Sequence, residues 1–284
     1  MAVVNALTVD VEDYFHVSAF AGKVARSQWP AFDSRVCQNT DALLTLFDAA
    51  GVRGTFFVLG WVAQRFPDLV RRIHHAGHEI ASHSFAHGLV YHETPESFRM
   101  DLRQAKEAIF NACGVEVRGY RAPSYSITRR SLWALDVLID EGYEYDSSIY
   151  PVRHDRYGIP DWQRDVHAIA RPNGVLWELP GSTIKHAGMN LPIGGGGYFR
   201  LLPYWWPRHG ITRLNNVERQ PAIFYIHPWE IDPDQPRIKS SVLSQFRHYR
   251  NLDQTELRLK RLLKDFRFGP VSDILHRTQA AFAA

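Results

Sequence analysis

Two histidines four residues apart are the strongest local sign of chemistry in the chain. His83 and His87 follow the apolar pair Ile80-Ala81. On a helical turn, side chains four positions apart share a face, so both imidazoles can reach one cation. Imidazole is a common metal ligand, but paired histidines also occur by chance in a chain that holds 14. Taken alone, the pair leaves a metal site and two ordinary surface histidines equally open.

Three carboxylates near the N-terminus offer the negative charge that such a cation needs. Asp10, Glu12 and Asp13 fall within four residues, at the end of the apolar run Ala6 to Val11. Like charges this close raise each other's pKa unless a cation or an arginine compensates them. A solvated loop or a helix N-terminus is the ordinary alternative. Beside the histidine pair, the cluster favours a metal site.

Two further polar side chains stand where apolar segments end. Arg121 precedes a turn fixed by Pro123, and it could pair with Asp10; a surface arginine before an ordinary proline turn is the alternative. His227 ends the apolar run Ala222 to Ile226, a position where a lone histidine is more often structural than catalytic. Neither residue decides the chemistry by itself.

The segments between these residues alternate between strand and helix patterns. Predicted strands lie at 6–11, 52–59, 78–82, 117–121, from 143 to 146 and at 222–226, and predicted helices at 40–49, 67–75, 95–112, 128–141 and 254–266. Such alternation predicts an α/β fold with parallel strands, helices outside and functional groups at the carboxyl ends of the strands. The candidate residues named above all occupy such ends.

Two segments depart from this alternation. Residues 151–171 are polar and contain proline and glycine, which predicts a long loop over the face of the sheet. The run Gly194 to Gly197 disfavours helix and strand, because glycine loses the most conformational entropy when it is ordered. An aromatic stretch from Tyr198 to Trp206 follows it. Because the chain shows no repeat and no linker, we expect a single domain over residues 1–284, with a C-terminal extension from about residue 230 packed on it.

The composition argues against several classes of partner and metal site. With 45% hydrophobic and 22% charged residues, the chain reads as a soluble globular protein, and its net charge of +3 is spread too evenly to indicate nucleic acid or an anionic membrane. Cys37 and Cys113 are too few for a cysteine-rich zinc module, so any metal must use histidines and carboxylates. Without a run of about 18 apolar residues or a signal-peptide pattern, we expect a cytoplasmic protein with no transmembrane segment.

Four motifs, namely the N-terminal carboxylates, the histidine pair, Arg121 with Pro123, and His227, follow one another along the chain. Their order resembles that of the NodB-type polysaccharide deacetylases, carbohydrate esterase family 4, over nearly the whole chain. In that family, the first motif carries an aspartate base and a metal-binding aspartate, the second is H-[ST]-x-x-H, the third contains R-x-P, and a late motif supplies a histidine acid. His83, Ser84 and His87 match the second motif, and Arg121 and Pro123 match the third. Asp146 and His227 match the fourth and the fifth.

Three longer runs, 10–16, 145–151 and 194–198, look like the branch of the family that is associated with exopolysaccharide and exosortase gene clusters. One departure concerns the first motif, because Val11 follows Asp10 where the family has two adjacent aspartates. The metal carboxylate is therefore Glu12 or Asp13. In a regular strand Glu12 shares a face with Asp10, but if the strand ends there Asp13 could swing in.

The resemblance implies a distorted (β/α) barrel and a metal-dependent hydrolase that removes N-acetyl groups from the amino sugars of a poly- or oligosaccharide. His83, His87 and Glu12 or Asp13 would hold a divalent metal; this ligand set favours zinc, although cobalt or nickel would accept it. Asp10 would be the base, oriented by Arg121, and His227 would be the acid, oriented by Asp146.

The chemistry of amide hydrolysis suggests the substrate contacts. A backbone N–H near Ser124 or Tyr125, after the turn at Pro123, would face the oxyanion. Tyr198 and Trp229 would stack on sugar rings, or simply pack in the core. The implied partner is an N-acetylated saccharide; the sequence predicts no nucleic-acid partner and leaves the oligomeric state open.

The sequence is also compatible with two other functions. The separation of Asp10 from Glu12 keeps open a hydrolase of small cyclic amides, like the allantoinases that share this fold, although the aromatic and glycine-rich region suits an extended saccharide better. A non-catalytic saccharide-binding relative is the other possibility. It would not need the general acid that the late histidine supplies.

Overall fold

A mostly parallel sheet built around the first strand organises the protein, which a computed structural model describes from residue 3 to residue 283. The strands are β1 (Val4–Val11), β2 (Thr55–Val58), β3 (Glu79–Ser82), β4 (Gly119–Tyr120), β5 (Tyr145–Asp146), β6 (His167–Arg171), β7 (Gly174–Glu178), β8 (Thr183–His186), β9 (Met189–Pro192), β10 (Ile223–Ile226) and β11 (Arg267–Gly269). They pair in the order β10-β1-β2-β3-β4-β5-β7-β6, β11 pairs with β1, and β8 and β9 form a separate hairpin. Only β6 runs antiparallel to its neighbour in the large sheet.

Ten α-helices among the described residues accompany the strands. They are α1 (Val36–Ala49), α2 (Gly60–Arg65), α3 (Pro67–His75), α4 (Pro95–Cys113), α5 (Ala134–Asp140), α6 (Gly196–Leu201), α7 (Trp205–Arg213), α8 (Val242–Tyr249), α9 (Leu252–Asp265) and α10 (Val271–Ala283). The longest, α4, begins at a Thr94 cap with Pro95 in its first turn and ends at Gly114, whose φ of +74° permits the left-handed stop. The predicted α/β fold with parallel strands and external helices is confirmed.

The candidate residues sit together because the parallel strands end at one edge. In the register, Val9 of β1 faces Ile226 of β10, while Val58 of β2 faces Ser82 of β3. Ser82 in turn faces Tyr120, the last residue of β4. The residues that follow these strand ends therefore emerge side by side, and the strands themselves are almost fully buried.

The described strands form no continuous closed ladder, because β7 and β10 do not pair. Single hydrogen bonds cross the gap instead: Ile193 N donates to Ser182 O at 3.0 Å, and Tyr225 N donates to Gly194 O at 2.7 Å. Gly195 has a φ of +125°, and a Cβ there would lie 2.0 Å from Tyr225 O. The glycine run thus lets the chain pass close to β10, which is a backbone requirement that no larger residue meets.

Three details differ from the sequence-based prediction. The glycine run is not wholly irregular, since α6 begins at Gly196. The expected loop over 151–171 ends in a strand, β6, from His167. The C-terminal extension does more than pack on the sheet, because β11 pairs with β1. Among the described helices, none combines the length and the apolar character needed to cross a membrane.

Candidate metal centre and active site

Glu12, His83 and His87 form a cluster that fits a metal ion. Their ligand atoms all lie within 4.8 Å of one another, and the three side chains are buried or nearly so. Glu12 Oε2 lies 2.5 Å from His87 Nε2, yet this buried oxygen accepts no well-formed hydrogen bond among the described residues. Two histidine nitrogens and one carboxylate oxygen are a donor set that suits zinc.

His83 is oriented from behind. Its Nδ1 donates to Arg121 O at 2.8 Å, which leaves Nε2 for the cluster and fixes the tautomer. Burial lowers the pKa of His83 to about 4, so the imidazole is neutral at neutral pH, as a metal ligand must be. Burial raises the pKa of Glu12, but the neighbouring imidazoles of His87, His227 and His83 outweigh it and hold that pKa far below its usual range.

The histidine pair lies on a loop rather than on the predicted helical turn. Ser84 and His87 have φ values of 63° and 52°, a region that non-glycine residues seldom adopt. Asp101 of α4 holds this loop, because its carboxylate accepts from Phe85 N at 2.8 Å and from Ala86 N at 3.1 Å. The two imidazoles therefore meet through a strained loop tied to a long helix, with ring centroids 5.5 Å apart.

Asp13 does not join the cluster. Its Oδ2 accepts from Ser34 Oγ at 2.6 Å, Arg35 N at 2.9 Å and Val36 N at 3.1 Å, at the N-terminus of α1. A carboxylate there satisfies helix N–H groups and meets the positive end of the helix dipole. Of the two carboxylates that the sequence left open as metal ligands, the structure brings only Glu12 to the histidines.

Asp10 and Arg121 form a buried ion pair beside the cluster. Arg121 Nη1 donates to Asp10 Oδ1 at 2.8 Å and to Thr8 Oγ1 at 2.7 Å. The guanidinium is fully buried, and its Nη2 donates to Ser147 Oγ at 2.9 Å. The contact expected between Asp10 and Arg121 is thus present, and it fixes one oxygen of Asp10 while Oδ2 turns toward His227.

His227 faces both carboxylates of the first motif. Its Nε2 lies 3.8 Å from Asp10 Oδ2 and 3.6 Å from Glu12 Oε1. Its Nδ1 lies 2.6 Å from Glu230 Oε1. Burial lowers the pKa of His227, but the hydrogen bond to Glu230 and the charges of Glu12, Glu230 and Asp10 outweigh this and raise it to about 9. At neutral pH, His227 is therefore an imidazolium beside the cluster.

Glu230 takes the place that the sequence analysis gave to Asp146. Its second oxygen, Oε2, accepts from Arg200 Nε at 2.6 Å, and both partners of this pair are buried. Burial raises the pKa of Glu230, but Arg200 and His227 outweigh it and lower the pKa to about 2. Asp146 makes no contact with His227; it accepts from Ser148 Oγ and lies opposite Glu178 in the sheet. The expected Asp146–His227 contact was wrong.

A cavity of about 420 Å³ opens onto these groups. Four of the five predicted substrate residues line it, namely Ser124, Tyr125, Tyr198 and Trp229, whereas Pro123 is buried at the start of the turn Pro123–Tyr125. Trp229 is 4% exposed, stacks between His227 and His248, and directs its Nε1 toward Glu12 Oε1 at 3.3 Å. This contact gives Trp229 a part in holding Glu12.

Sequence reasoning missed several residues of the site. The sequence analysis did not identify the Glu230–Arg200 pair or Asp101, which binds the histidine loop. It also did not identify Tyr157, which lines the cavity. Glu230 had a readable signal, because it follows His227 by three residues in the run His-Pro-Trp-Glu. The other three come from distant segments, and their side-chain positions depend on the tertiary fold.

Comparison with known families gives two matches that together span most of the chain. Residues 25–145 match a family model described as polysaccharide deacetylase. Residues 147–276 match a domain of unknown function, DUF3473. The boundary falls just after β5, although β7, β10 and β11 of the second part belong to the same sheet as β1 to β5.

Three proteins described as deacetylases are similar to part of this chain. A chitooligosaccharide deacetylase from Rhizobium leguminosarum bv. trifolii is 30% identical over 165 residues, 55% of this chain and 72% of that protein. One from Sinorhizobium fredii (strain NBRC 101917 / NGR234) is 33% identical over 170 residues, 58% and 76% of the two chains. A bifunctional xylanase/deacetylase from Pseudobutyrivibrio xylanivorans is 25% identical, and the match covers 51% of this chain but 22% of that protein.

Solved structures share the fold at low sequence identity. A protein from Mycobacterium smegmatis described as a polysaccharide deacetylase aligns with a TM-score of 0.66 and 20% identity, over 98% of this chain and 90% of that one. PuuE allantoinase aligns with a TM-score of 0.65 and 15% identity, over 98% and 90%. These likenesses concern the α/β architecture. Together, the family match and the rhizobial relatives show that the chain belongs to the polysaccharide deacetylase family.

Proposed function

We propose that this protein is a metal-dependent hydrolase that removes N-acetyl groups from the amino sugars of a poly- or oligosaccharide. One observation carries the proposal: Glu12, His83 and His87 converge beside a buried aspartate and a protonated histidine, all on one cavity. Hydrolysis of an amide needs an activated water, a stabilised oxyanion and a proton for the departing amine. The chain has a candidate group for each need.

Glu12, His83 and His87 would hold the metal. The buried Oε2 of Glu12, which lies 2.5 Å from His87 Nε2, and the neutral His83 imidazole fit a divalent cation, and the two-histidine, one-carboxylate set favours zinc. When bound, such a cation polarises the acetyl carbonyl and lowers the pKa of water. The Arg121 carbonyl orients the His83 ring, and Asp101 holds the backbone of the loop that leads to His87.

Asp10 would accept the proton of the attacking water. Its Oδ1 is held by Arg121 and its Oδ2 faces the cavity beside His227, so one oxygen is anchored and the other is directed at the reaction. The Arg121 guanidinium holds the carboxylate in the orientation that a general base requires. Arg121 is thus a positioning residue for Asp10.

His227 would deliver the proton to the departing amine. Its raised pKa keeps it protonated at neutral pH, and Glu230 fixes the ring through Nδ1 so that Nε2 faces the cluster. A general acid of this kind typically contributes about 10²–10⁴-fold to the rate. In this chain Glu230 is the carboxylate that orients the acid.

The turn after Arg121 would supply the oxyanion donor. Ser124 and Tyr125 have φ values of 54° and 53°, so the backbone bends sharply at the cavity. Tyr125 N already donates to Ala122 O at 3.1 Å, and the proposed donor is therefore the Ser124 N–H. Losing one oxyanion donor typically costs about 10²–10³ in rate.

The saccharide is proposed to belong to exopolysaccharide biosynthesis. The resemblance of runs 10–16, 145–151 and 194–198 to the exopolysaccharide- and exosortase-associated branch supports this proposal. The cavity supports an extended sugar rather than a small ring, because its walls carry several tyrosines, among them Tyr125, Tyr157 and Tyr198. Aromatic side chains suit the apolar faces of sugar rings.

Acetate release from chitooligosaccharides tests the proposal. Wild type, His83→Ala and the control His74→Ala, which changes an exposed histidine on α3, are assayed after chelation and again after zinc is restored. We expect zinc-dependent release by wild type and the control alone. Release that is unaffected by His83→Ala would contradict the proposal. Hydrolysis of allantoin in place of the saccharide would favour the cyclic-amide function, and saccharide binding without any release would favour the binding function.

A further inference from the structure

Two fully buried carboxyl groups face each other below the active site. Asp146, the last residue of β5, is in register with Glu178, the last residue of the parallel strand β7. Both side chains have an exposure of 0%. Neighbours in register on adjacent strands project to the same face of the sheet, so the two carboxyls are in contact range.

One oxygen of each carboxyl group in the pair lacks a hydrogen-bond donor among the described residues. Asp146 Oδ1 accepts from Ser148 Oγ, and Glu178 Oε1 accepts from Ile149 N at 3.0 Å. Asp146 Oδ2 and Glu178 Oε2 are both buried and have no hydrogen-bond partner among the described residues. Buried polar atoms are almost always paired, and two carboxylate oxygens can pair only through a proton.

The charged groups around the pair do not compensate two ionised carboxylates. The cation that faces the pair is Arg121, and its guanidinium is already engaged with Asp10. The hydroxyls of Tyr120 and Tyr125, which are neutral at physiological pH, also lie near the pair. His167 of β6 is in register with Glu178 on its other side, but its Nδ1 donates to Asp165 O at 2.8 Å, and no hydrogen bond or ion pair joins it to Glu178 among the described residues. Two ionised carboxylates would therefore place an uncompensated charge in the interior, which is costly.

We propose that Asp146 and Glu178 share one proton, and that this hydrogen-bonded pair positions the segment 146–149 on which the active-site arginine and the oxyanion turn rest. The link to the site is direct. Ser147 O and Oγ accept from Arg121, and Ser148 Oγ accepts from Ala122 N at 2.8 Å, one residue before the turn. The shared proton ties β5 to β7 at the point where this segment begins.

The direction of the pKa shifts agrees with a shared proton. Burial raises the pKa of Asp146, and burial together with the neighbouring Asp146 charge raises the pKa of Glu178 well above its ordinary value. A carboxyl whose pKa is raised on folding stabilises the fold below its unfolded pKa, and this stabilisation is lost as pH rises through the folded pKa.

Infrared difference spectroscopy tests the proton without reference to activity. At pH 8, the wild type minus Glu178→Gln spectrum is expected to show the C=O band of a protonated carboxyl group, and so is wild type minus Asp146→Asn. The control Glu79→Gln removes a carboxylate that already accepts from Thr55, Tyr145 and a backbone N–H, and it should leave the band in place. Absence of the band from both difference spectra would overturn the shared proton.

Thermal unfolding from pH 5 to pH 9 gives a second readout. We expect the Tm difference between Glu178→Gln and wild type to become more positive as pH rises, because the amide needs no proton to donate to Asp146. A difference that stays constant over this range would contradict the raised pKa.

The positioning role rests on the proposed deacetylase function and is tested by rescue. Glu178→Ala is expected to lower kcat for acetate release about 10–100-fold with little change in KM, because a small displacement of the catalytic groups can cost about 10²-fold in rate. Glu178→Gln is expected to recover most of that loss, since it keeps the hydrogen bond. Equal losses in both variants would refute the hydrogen-bond role. If wild type releases no acetate, the proposed function fails while the spectroscopic result still decides the shared proton.

Discussion

Replacing Glu230 with glutamine should move the alkaline limit of activity. Glu230 Oε1 lies 2.6 Å from His227 Nδ1, and this contact is a main reason why the pKa of His227 is raised to about 9. The acid must be protonated, so activity is lost as pH rises through that pKa. Glu230→Gln keeps an acceptor oxygen but removes the charge, and the pKa of His227 should therefore fall.

The size of this shift follows from the type of hydrogen bond. A hydrogen bond to a charged group contributes about 1.5–3 kcal/mol and a neutral one about 1 kcal/mol, so the substitution removes about 0.5–2 kcal/mol. Because one pKa unit corresponds to about 1.4 kcal/mol, the alkaline limb should move down by about one unit. At pH 9, kcat/KM would then fall about fivefold relative to wild type, and at pH 7 much less.

The assay is acetate release across pH 6 to 10, with Asp146→Asn as the matched control. Asp146 makes no contact with His227, so this variant should leave the position of the alkaline limb unchanged, whatever it does to the maximum rate. Glu230→Gln also removes the charge partner of Arg200, so folding is checked by circular dichroism. An unmoved limb in Glu230→Gln, or an equal shift in Asp146→Asn, would refute the assignment.

Two further predictions follow from the loops that shape the site. Asp101→Ala should weaken zinc binding about 10–100-fold, because it frees the backbone before His87; a competitive chelator titration measures this, and unchanged affinity would count against the role of Asp101. Gly195→Ala should destabilise the fold by about 2–4 kcal/mol in urea denaturation, because the added Cβ would strain a positive φ and meet Tyr225 O. The control Gly197→Ala, where a Cβ meets nothing within 4 Å in helix α6, should be neutral or stabilising by about 0.5–1 kcal/mol; equal destabilisation in both variants would refute the close-approach argument.

The sequence predicted the fold and the neighbourhood of the site well because both depend on local pattern. Alternating strand and helix segments indicate parallel strands, and such strands bring their carboxyl ends to one edge. That rule alone brings His83, Arg121 and His227 together from positions far apart in the chain. The register of β1 with β2 and β10 then completes the arrangement around Asp10.

The choice between Glu12 and Asp13 could not be made from local pattern. The strand ends at Val11, and Glu12 N turns back to donate to Asp10 O at 3.0 Å. Beyond that point, side-chain direction depends on what each carboxylate meets. Asp13 meets the N-terminus of α1, more than twenty residues later, and this long-range contact leaves Glu12 as the acid beside the histidines.

The partner of His227 was mispredicted for a related reason. The resemblance to a family assigned Asp146, but its side chain is buried against Glu178, a residue 32 positions later that no sequence pattern marked. Glu230, by contrast, is three residues from His227 on a single 3-10 turn, Pro228–Ile231. The three-residue spacing from His227 could have identified Glu230, whereas the family motif indicated Asp146.

Zinc titration of the metal-free protein tests whether Glu12, rather than Asp13, is the carboxylate ligand of a catalytic metal. Acetate release from a chitooligosaccharide is followed as zinc is added to wild type, Glu12→Ala and Asp13→Asn. We expect about one equivalent of zinc to restore release in wild type and in folded Asp13→Asn, and Glu12→Ala to stay inactive at the same zinc concentration. Release by Glu12→Ala at the wild-type rate, or release by wild type that does not depend on metal, would contradict this expectation.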